Sequence, residues 1–248
     1  MSTLEKEVEE LQKALEGLET KSLSVAGIEP AAKNGRAGLI LEGEARANLG
    51  SDSVPGTRYL LYSNEALPGG DRVRLIGPAL TQLPREPVAF AQAAVLRGPE
   101  VTSEVFYQFV QRHQRLLDQP GFMVKTAKDR LMARVSPQAA EKGLEAVSAT
   151  FLSRIHEAFP QVQAVDLVWV TGNEALVRRL EAAAEAASEL ITSIKAGVWK
   201  DRGFDYKSCQ LAGHCGSCAD KKTCSSIRQM EAKVKLRHRR EGASRATL

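Results

Sequence analysis

The sequence predicts a mixed α+β or α/β fold, in which helices pack on a mixed sheet, with a short amphipathic helix before it and a cysteine-rich metal loop after it. Three observations lead to this prediction. Short apolar or alternating runs between Gly, Pro, Asn and Asp fill residues 22–98, which is typical of strands. Strand-like and helix-like segments then alternate over residues 99–200, as they do where helices cover a sheet. All four cysteines of the 248-residue chain lie within the sixteen positions 209–224.

We therefore divide the chain into an N-terminal amphipathic helix (1–21), a β-rich segment (22–98), an α/β layer (99–200) and a Cys-rich metal-binding loop with a basic tail (201–248). The composition, 43% hydrophobic and 26% charged, is that of an ordinary soluble protein. No apolar run approaches the roughly 20 residues that span a bilayer, and the acidic N-terminus is unlike a signal peptide. We expect a cytoplasmic protein without a membrane span.

The N-terminal helix is predicted from apolar residues that recur at alternating steps of four and three: Leu4, Val8, Leu11, Leu15 and Leu18. The pattern spans little more than two heptads, so it predicts a helix that packs on the body or forms a homodimer.

In the β-rich segment, strands are predicted at residues 22–28, 38–44, 57–63, 72–76 and 87–96, with turns such as Asn34-Gly35 and Pro55-Gly56 between them. Pro99 and Glu100 then open a helix whose apolar face includes His113, which we expect to be packed or hydrogen-bonded and not catalytic.

The α/β layer continues as strand, helix, strand, helix. Residues 131–135 form the first predicted strand, and Ser136-Pro137 caps a helix that ends at Pro160. The apolar run 165–170 forms the next strand, after which Gly172-Asn173 begins a long Ala-rich helix to Gly197.

The cysteines Cys209, Cys215, Cys218 and Cys224 are separated by five, two and five residues. Thiolates are soft donors, so four of them in one short loop indicate a metal site. A [4Fe-4S] cluster takes four thiolates in this way. Tetrahedral zinc is the alternative, although zinc sites usually pair two Cys-x-x-Cys turns and only Cys215 and Cys218 form one. Disulfides or free thiols are the third alternative, disfavoured in a reducing compartment.

A basic tail begins just before Cys224 and continues after it. Residues 220–240 hold eight Lys or Arg against two acidic residues, a net charge of +6. This charge could dock an acidic partner or offset the negative charge of a thiolate-bound cluster, or it could be a solvated helix. Because no aromatic residues interleave with the charges, we do not expect a nucleic-acid partner. The common phosphate-loop, dinucleotide and zinc-protease motifs are absent from the sequence.

Several segments resemble, in order, the acetyl-CoA synthase subunit of the carbon monoxide dehydrogenase/acetyl-CoA synthase complex. They are Gly70-Asp-Arg-Val-Arg-Leu-Ile-Gly-Pro78, Arg130-Leu-Met-Ala-Arg-Val-Ser-Pro-Gln-Ala-Ala-Glu-Lys-Gly143, Phe159-Pro160 and Val162-Gln-Ala-Val-Asp-Leu-Val-Trp-Val-Thr171. The similarity covers roughly residues 70–210. It implies an α/β layer followed by a Cys-rich metal site.

The resemblance also has a limit. The family's Cys-Gly-Cys tripeptide for nickel is absent here, and a cubane would use all four cysteines. We therefore expect a reduced relative that binds a [4Fe-4S] cluster as an electron-transfer or accessory component of an anaerobic C1 or acyl-CoA enzyme complex, partnered by redox or CO dehydrogenase-type subunits. Two alternatives stay open: a true CO- or acyl-transferring enzyme subunit, and a zinc-stapled binding module whose basic tail contacts nucleic acid or protein.

Overall fold

The computed structural model describes residues 3–32, 35–127 and 130–201. The chain divides into two compact units, residues 1–187 and 188–248. The elements in chain order are α1 (Thr3–Leu15), β1 (Lys21–Ser22), β2 (Ala47–Leu49), β3 (Gly56–Ser63), β4 (Arg72–Ile76), β5 (Phe90–Arg97), α2 (Ser103–Leu117), β6 (Phe122–Ala127), β7 (Arg130–Val135), α3 (Pro137–Ala158), β8 (Ala164–Thr171) and α4 (Glu174–Asp201).

Two sheets form the body. The larger has five strands in the order β1-β4-β8-β5-β3, with β4/β8 and β3/β5 parallel and the other pairs antiparallel. The smaller has three antiparallel strands in the order β2-β7-β6. Helices pack on these sheets, so the predicted mixed α/β class is confirmed.

Aromatic and amide side chains join the large sheet to α2 and α3. Trp169 on β8 is fully buried, and its Nε1 donates to Ser148 Oγ on α3 at 2.8 Å. His113 on α2 is also fully buried, with Nε2 2.5 Å from Gln92 Oε1 on β5. Burial holds the pKa of His113 well below its ordinary value, and the positive charge of Arg58 acts in the same direction. The expectation of a packed, hydrogen-bonded histidine is confirmed.

The predicted N-terminal helix is present as α1. Its residues Leu4, Val8, Leu11 and Leu15 are buried within this chain, and its Glu5 Oε2 accepts a hydrogen bond of 2.8 Å from Ser63 Oγ on β3. The apolar face therefore packs on the body. A homodimer through this helix stays a prediction, and it would have to use the charged face that remains.

Two of the predicted strands are wrong. Within 22–28, only Ser22 pairs in a strand, and Gly27 then turns the chain with a positive φ of 74°. Within 38–44, the Ile40 N–H contacts Met123 Sδ and the Ile40 carbonyl accepts from Arg134, so side chains take the place of a partner strand. A 3-10 turn follows at Glu42–Glu44. The sequence prediction also lacks β2 and β6.

The helix boundaries follow local hydrogen-bonding chemistry. Thr102 Oγ1 accepts from Val105 N, so α2 begins at Ser103 and not at Pro99. Ser136 caps α3 as predicted, and Asn173 Oδ1 accepts from Leu176 N at the start of α4. Helix α3 is interrupted at Gly143, where φ is 75°.

Candidate functional site

Opposed strand directions bring charged side chains to one end of the five-stranded sheet. Since β5 and β8 are antiparallel, the carboxyl ends of β3 and β5 lie beside the amino ends of β4 and β8. We name this region the charged end and define it by Asp71, Arg72, Arg74, Arg97, His156 and Asp166. Carboxyl ends of parallel strands often line ligand sites in α/β proteins, so the charged end is a candidate site.

Asp166 is the buried anion of the charged end, with 3% of its surface exposed. Its carboxylate accepts hydrogen bonds from Arg72 Nη2 at 2.5 Å and Nε at 3.2 Å, and from Arg74 Nη2 at 3.1 Å. The hydrogen bond to Asp166 raises the pKa of Arg72, although burial opposes it. Two guanidinium groups thus share one carboxylate, which satisfies the buried charge and fixes β4 against β8.

His156, near the end of α3, forms an ion pair with Asp71. Its Nε2 lies 2.9 Å from Asp71 Oδ2 and its Nδ1 lies 3.2 Å from the Val162 carbonyl oxygen. Asp71 also accepts from Val165 N at 2.8 Å. The hydrogen bond to Asp71 raises the pKa of His156, while partial burial acts against it. Because both ring nitrogens face acceptors, the ring is favoured as an imidazolium and is not poised as a general base.

Arg97 at the end of β5 is the third charged group, with 3% of its surface exposed. Its Nη1 donates to Ser63 Oγ at 3.0 Å, and that hydroxyl donates to Glu5 of α1. Glu65 lies 3.8 Å away. The contacts of the charged end thus join α1, α3 and the four strands β3, β4, β5 and β8 through side chains. This geometry supports a structural role.

These residues were not found by sequence reasoning. Asp166 did carry a signal, since it interrupts the apolar run Val165-Asp-Leu-Val-Trp-Val170. A carboxylate in such a strand needs a buried partner. The alternation of Arg72 and Arg74 offered two candidates on one face, but only the register of β4 with β8 pairs them.

The predicted ligands Cys209, Cys215, Cys218 and Cys224 lie outside the described residues, as do His214 and the basic residues 220–240. Helix α4 ends at Asp201, and residues 202–208 separate it from Cys209 in the sequence. Over residues 3–32, 35–127 and 130–201, no group of three or more His, Cys, Asp or Glu side chains could hold a metal ion.

Comparison with known proteins gives no assignment: no family model matches the chain, and no curated protein matches it. Among the helices of the described residues, none is long and apolar enough to cross a membrane.

Proposed function

We propose that this chain is an iron-sulfur protein in which Cys209, Cys215, Cys218 and Cys224 hold one [4Fe-4S] cluster. We further propose that it acts as an electron-transfer or accessory component of an anaerobic CO dehydrogenase or acyl-CoA-type enzyme complex. One observation carries the proposal: the only four thiols of the chain lie within sixteen residues, in a five-two-five spacing.

The donor set fits this cofactor. A cubane takes four thiolate ligands, and the sequence supplies four cysteines with none left over. Gly213 and Gly216 lie beside the central pair, where backbone freedom lets neighbouring thiols turn to a common centre.

A bound cluster would supply one-electron transfer. The chain's own part is to hold it through the thiolates and to place positive charge around and after Cys224, where residues 220–240 carry a net charge of +6. Such a segment attracts an acidic partner and offsets the negative charge of the ligated cluster.

The resemblance to acetyl-CoA synthase supports a metal-dependent C1 or acyl-CoA context. The cysteine count argues for an accessory role, because a cubane leaves no thiol for nickel. An enzyme subunit is the alternative within this context, and nickel that copurifies with iron, or a spectrum that changes with CO or an acyl donor, would favour it.

The test is metal and acid-labile sulfide analysis of the full chain purified without oxygen, together with a visible spectrum. We expect about four irons and four sulfides per chain. Cys218→Ser should lower both, whereas the neighbouring Ser217→Ala should leave both unchanged. One zinc per chain without sulfide would replace the proposal with the zinc-stapled module.

A further inference from the structure

A cleft of about 700 Å³ lies between the C-terminal half of α2, the last turns of α3 and the segment at Gly35 and Arg36. None of the residues that define the charged end lines it. Its volume falls within the range of about 300–1,000 Å³ found for small-molecule sites. Three arginines from three separate segments line it, namely Arg36, Arg115 and Arg154.

Arg154 forms a fixed wall of this cleft. Its Nη1 donates to the carbonyl oxygens of Asp118 at 2.6 Å and Leu116 at 3.2 Å, and its Nη2 donates to that of Gly35 at 3.2 Å. These acceptors are neutral, so they orient the guanidinium without cancelling its charge. Partial burial lowers the pKa of Arg154, and the Asp118 carboxylate opposes that effect.

Arg36 and Arg115 are the other two cationic side chains that line the cleft. Both are exposed, and within the described part of the chain neither side chain has a hydrogen bond or ion pair. Two carboxylates, Asp118 and Glu157, also line the cleft. Asp118 lies within the electrostatic reach of Arg154, and Glu157 already has an interaction of its own. Within the described residues, the cleft thus combines one immobilised guanidinium with two that form no ion pair.

We propose that this cleft binds a small phosphorylated molecule, whose phosphate group is held by Arg36 and Arg115 beside the fixed guanidinium of Arg154. Guanidinium groups form two parallel hydrogen bonds to phosphate oxygens, and a doubly charged phosphate matches two unpaired arginines. The carboxamides of Gln111 and Gln114 line the same space and offer hydrogen bonds to the rest of the molecule.

The probe is inorganic pyrophosphate, titrated into the full chain by calorimetry at constant ionic strength. The test variant is Arg36→Gln with Arg115→Gln. The matched control is Arg85→Gln with Arg179→Gln, which removes the same charge from exposed arginines outside the cleft lining. Arg154 is left intact, because its loss would leave several carbonyls without a donor.

We expect the wild-type chain and the control variant to bind pyrophosphate alike, and the cleft variant to bind at least about tenfold more weakly for each arginine removed. Thermal unfolding and circular dichroism check that both variants are folded. The proposal is overturned if the wild-type chain does not bind, if the cleft variant binds as tightly as the control, or if both variants weaken equally. The last result would mean that pyrophosphate binds non-specifically to the positive charge of the whole chain, including residues 220–240.

Discussion

The two ends of the five-stranded sheet are held by different kinds of contact. At the charged end, long side chains reach across strands, as Arg72 does to Asp166. At the opposite end, backbone packs on backbone: a Cβ at Gly77 would overlap the carbonyl oxygen of Thr171, and one at Gly56 would overlap that of Leu131. Ion pairs between flexible side chains can adjust to a change, whereas contact between main chains leaves no room. The two ends should therefore differ in their tolerance to substitution.

The largest effect is expected for Gly77→Ala. Gly77 combines a φ of 105° with the contact to Thr171, so alanine is both strained and obstructed. We expect a loss of about 3 kcal/mol or more in the free energy of unfolding, measured by denaturant titration. The matched control is Gly172→Ala, where φ is 72° but the nearest atom to a Cβ is 3.5 Å away. It should cost only about 1–2 kcal/mol, and an equal loss in both variants would contradict the role of close backbone packing.

A smaller effect is expected when the buried anion of the charged end is removed. Asp166→Asn keeps the shape but leaves Arg72 and Arg74 without their counter-charge. Because both arginines are partly exposed, we expect a loss of about 2–3 kcal/mol, below the full cost of breaking a buried pair. Glu174→Gln breaks an exposed pair with Arg178 and should cost less than about 1 kcal/mol. Similar losses in the two variants would mean that burial of Asp166 adds nothing.

The smallest effect concerns His156 and depends on pH. Because its pKa is raised in the folded chain, the ion pair with Asp71 stabilises the fold fully below the unfolded value of 6.5, and this stabilisation is lost as pH rises through the folded pKa. His156→Gln should cost about 1 kcal/mol or less at pH 6 and reduce this dependence. Thermal unfolding of the wild-type chain and the variant from pH 5 to pH 8 measures this pH dependence. An unchanged slope in the variant would exclude His156 as its source.

His113 should change the stability of the fold with pH in the opposite direction. Its pKa is lowered by burial, so the unfolded chain takes up the proton first and stability falls as pH decreases below 6.5. In the His156→Gln variant this acid-side loss should remain. If the His156→Gln variant lost both the fall in stability at acid pH and the fall at higher pH, a single residue would be responsible for both.

The sequence predicted those elements whose signal is local. The apolar runs at 57–63 and 165–170 became β3 and β8, and Ser136 with Pro137 began α3. The alternating apolar pattern at 38–44 predicted a strand that is not there. Leu39 and Leu41 are 79% and 51% exposed, and no strand pairs with this segment. The charged end could not be predicted in detail, since Arg72 and Asp166 are 94 residues apart and meet only through strand register. The cysteine site is a local pattern as well, and it stays a prediction.

The burial of Trp169 gives the protein an internal optical reporter. The chain has two tryptophans, and Trp169 lies fully buried on β8 with its ring stacked on Phe90 at 5.7 Å between centroids. Its emission therefore reports on the packing of the central sheet. Trp199 lies ten residues before Cys209 in the sequence. A Trp169→Phe variant thus leaves one emitter close in sequence to the proposed metal ligands, and a Trp199→Phe variant leaves one in the core. The pair allows loading of the cysteine segment and folding of the body to be followed separately by fluorescence.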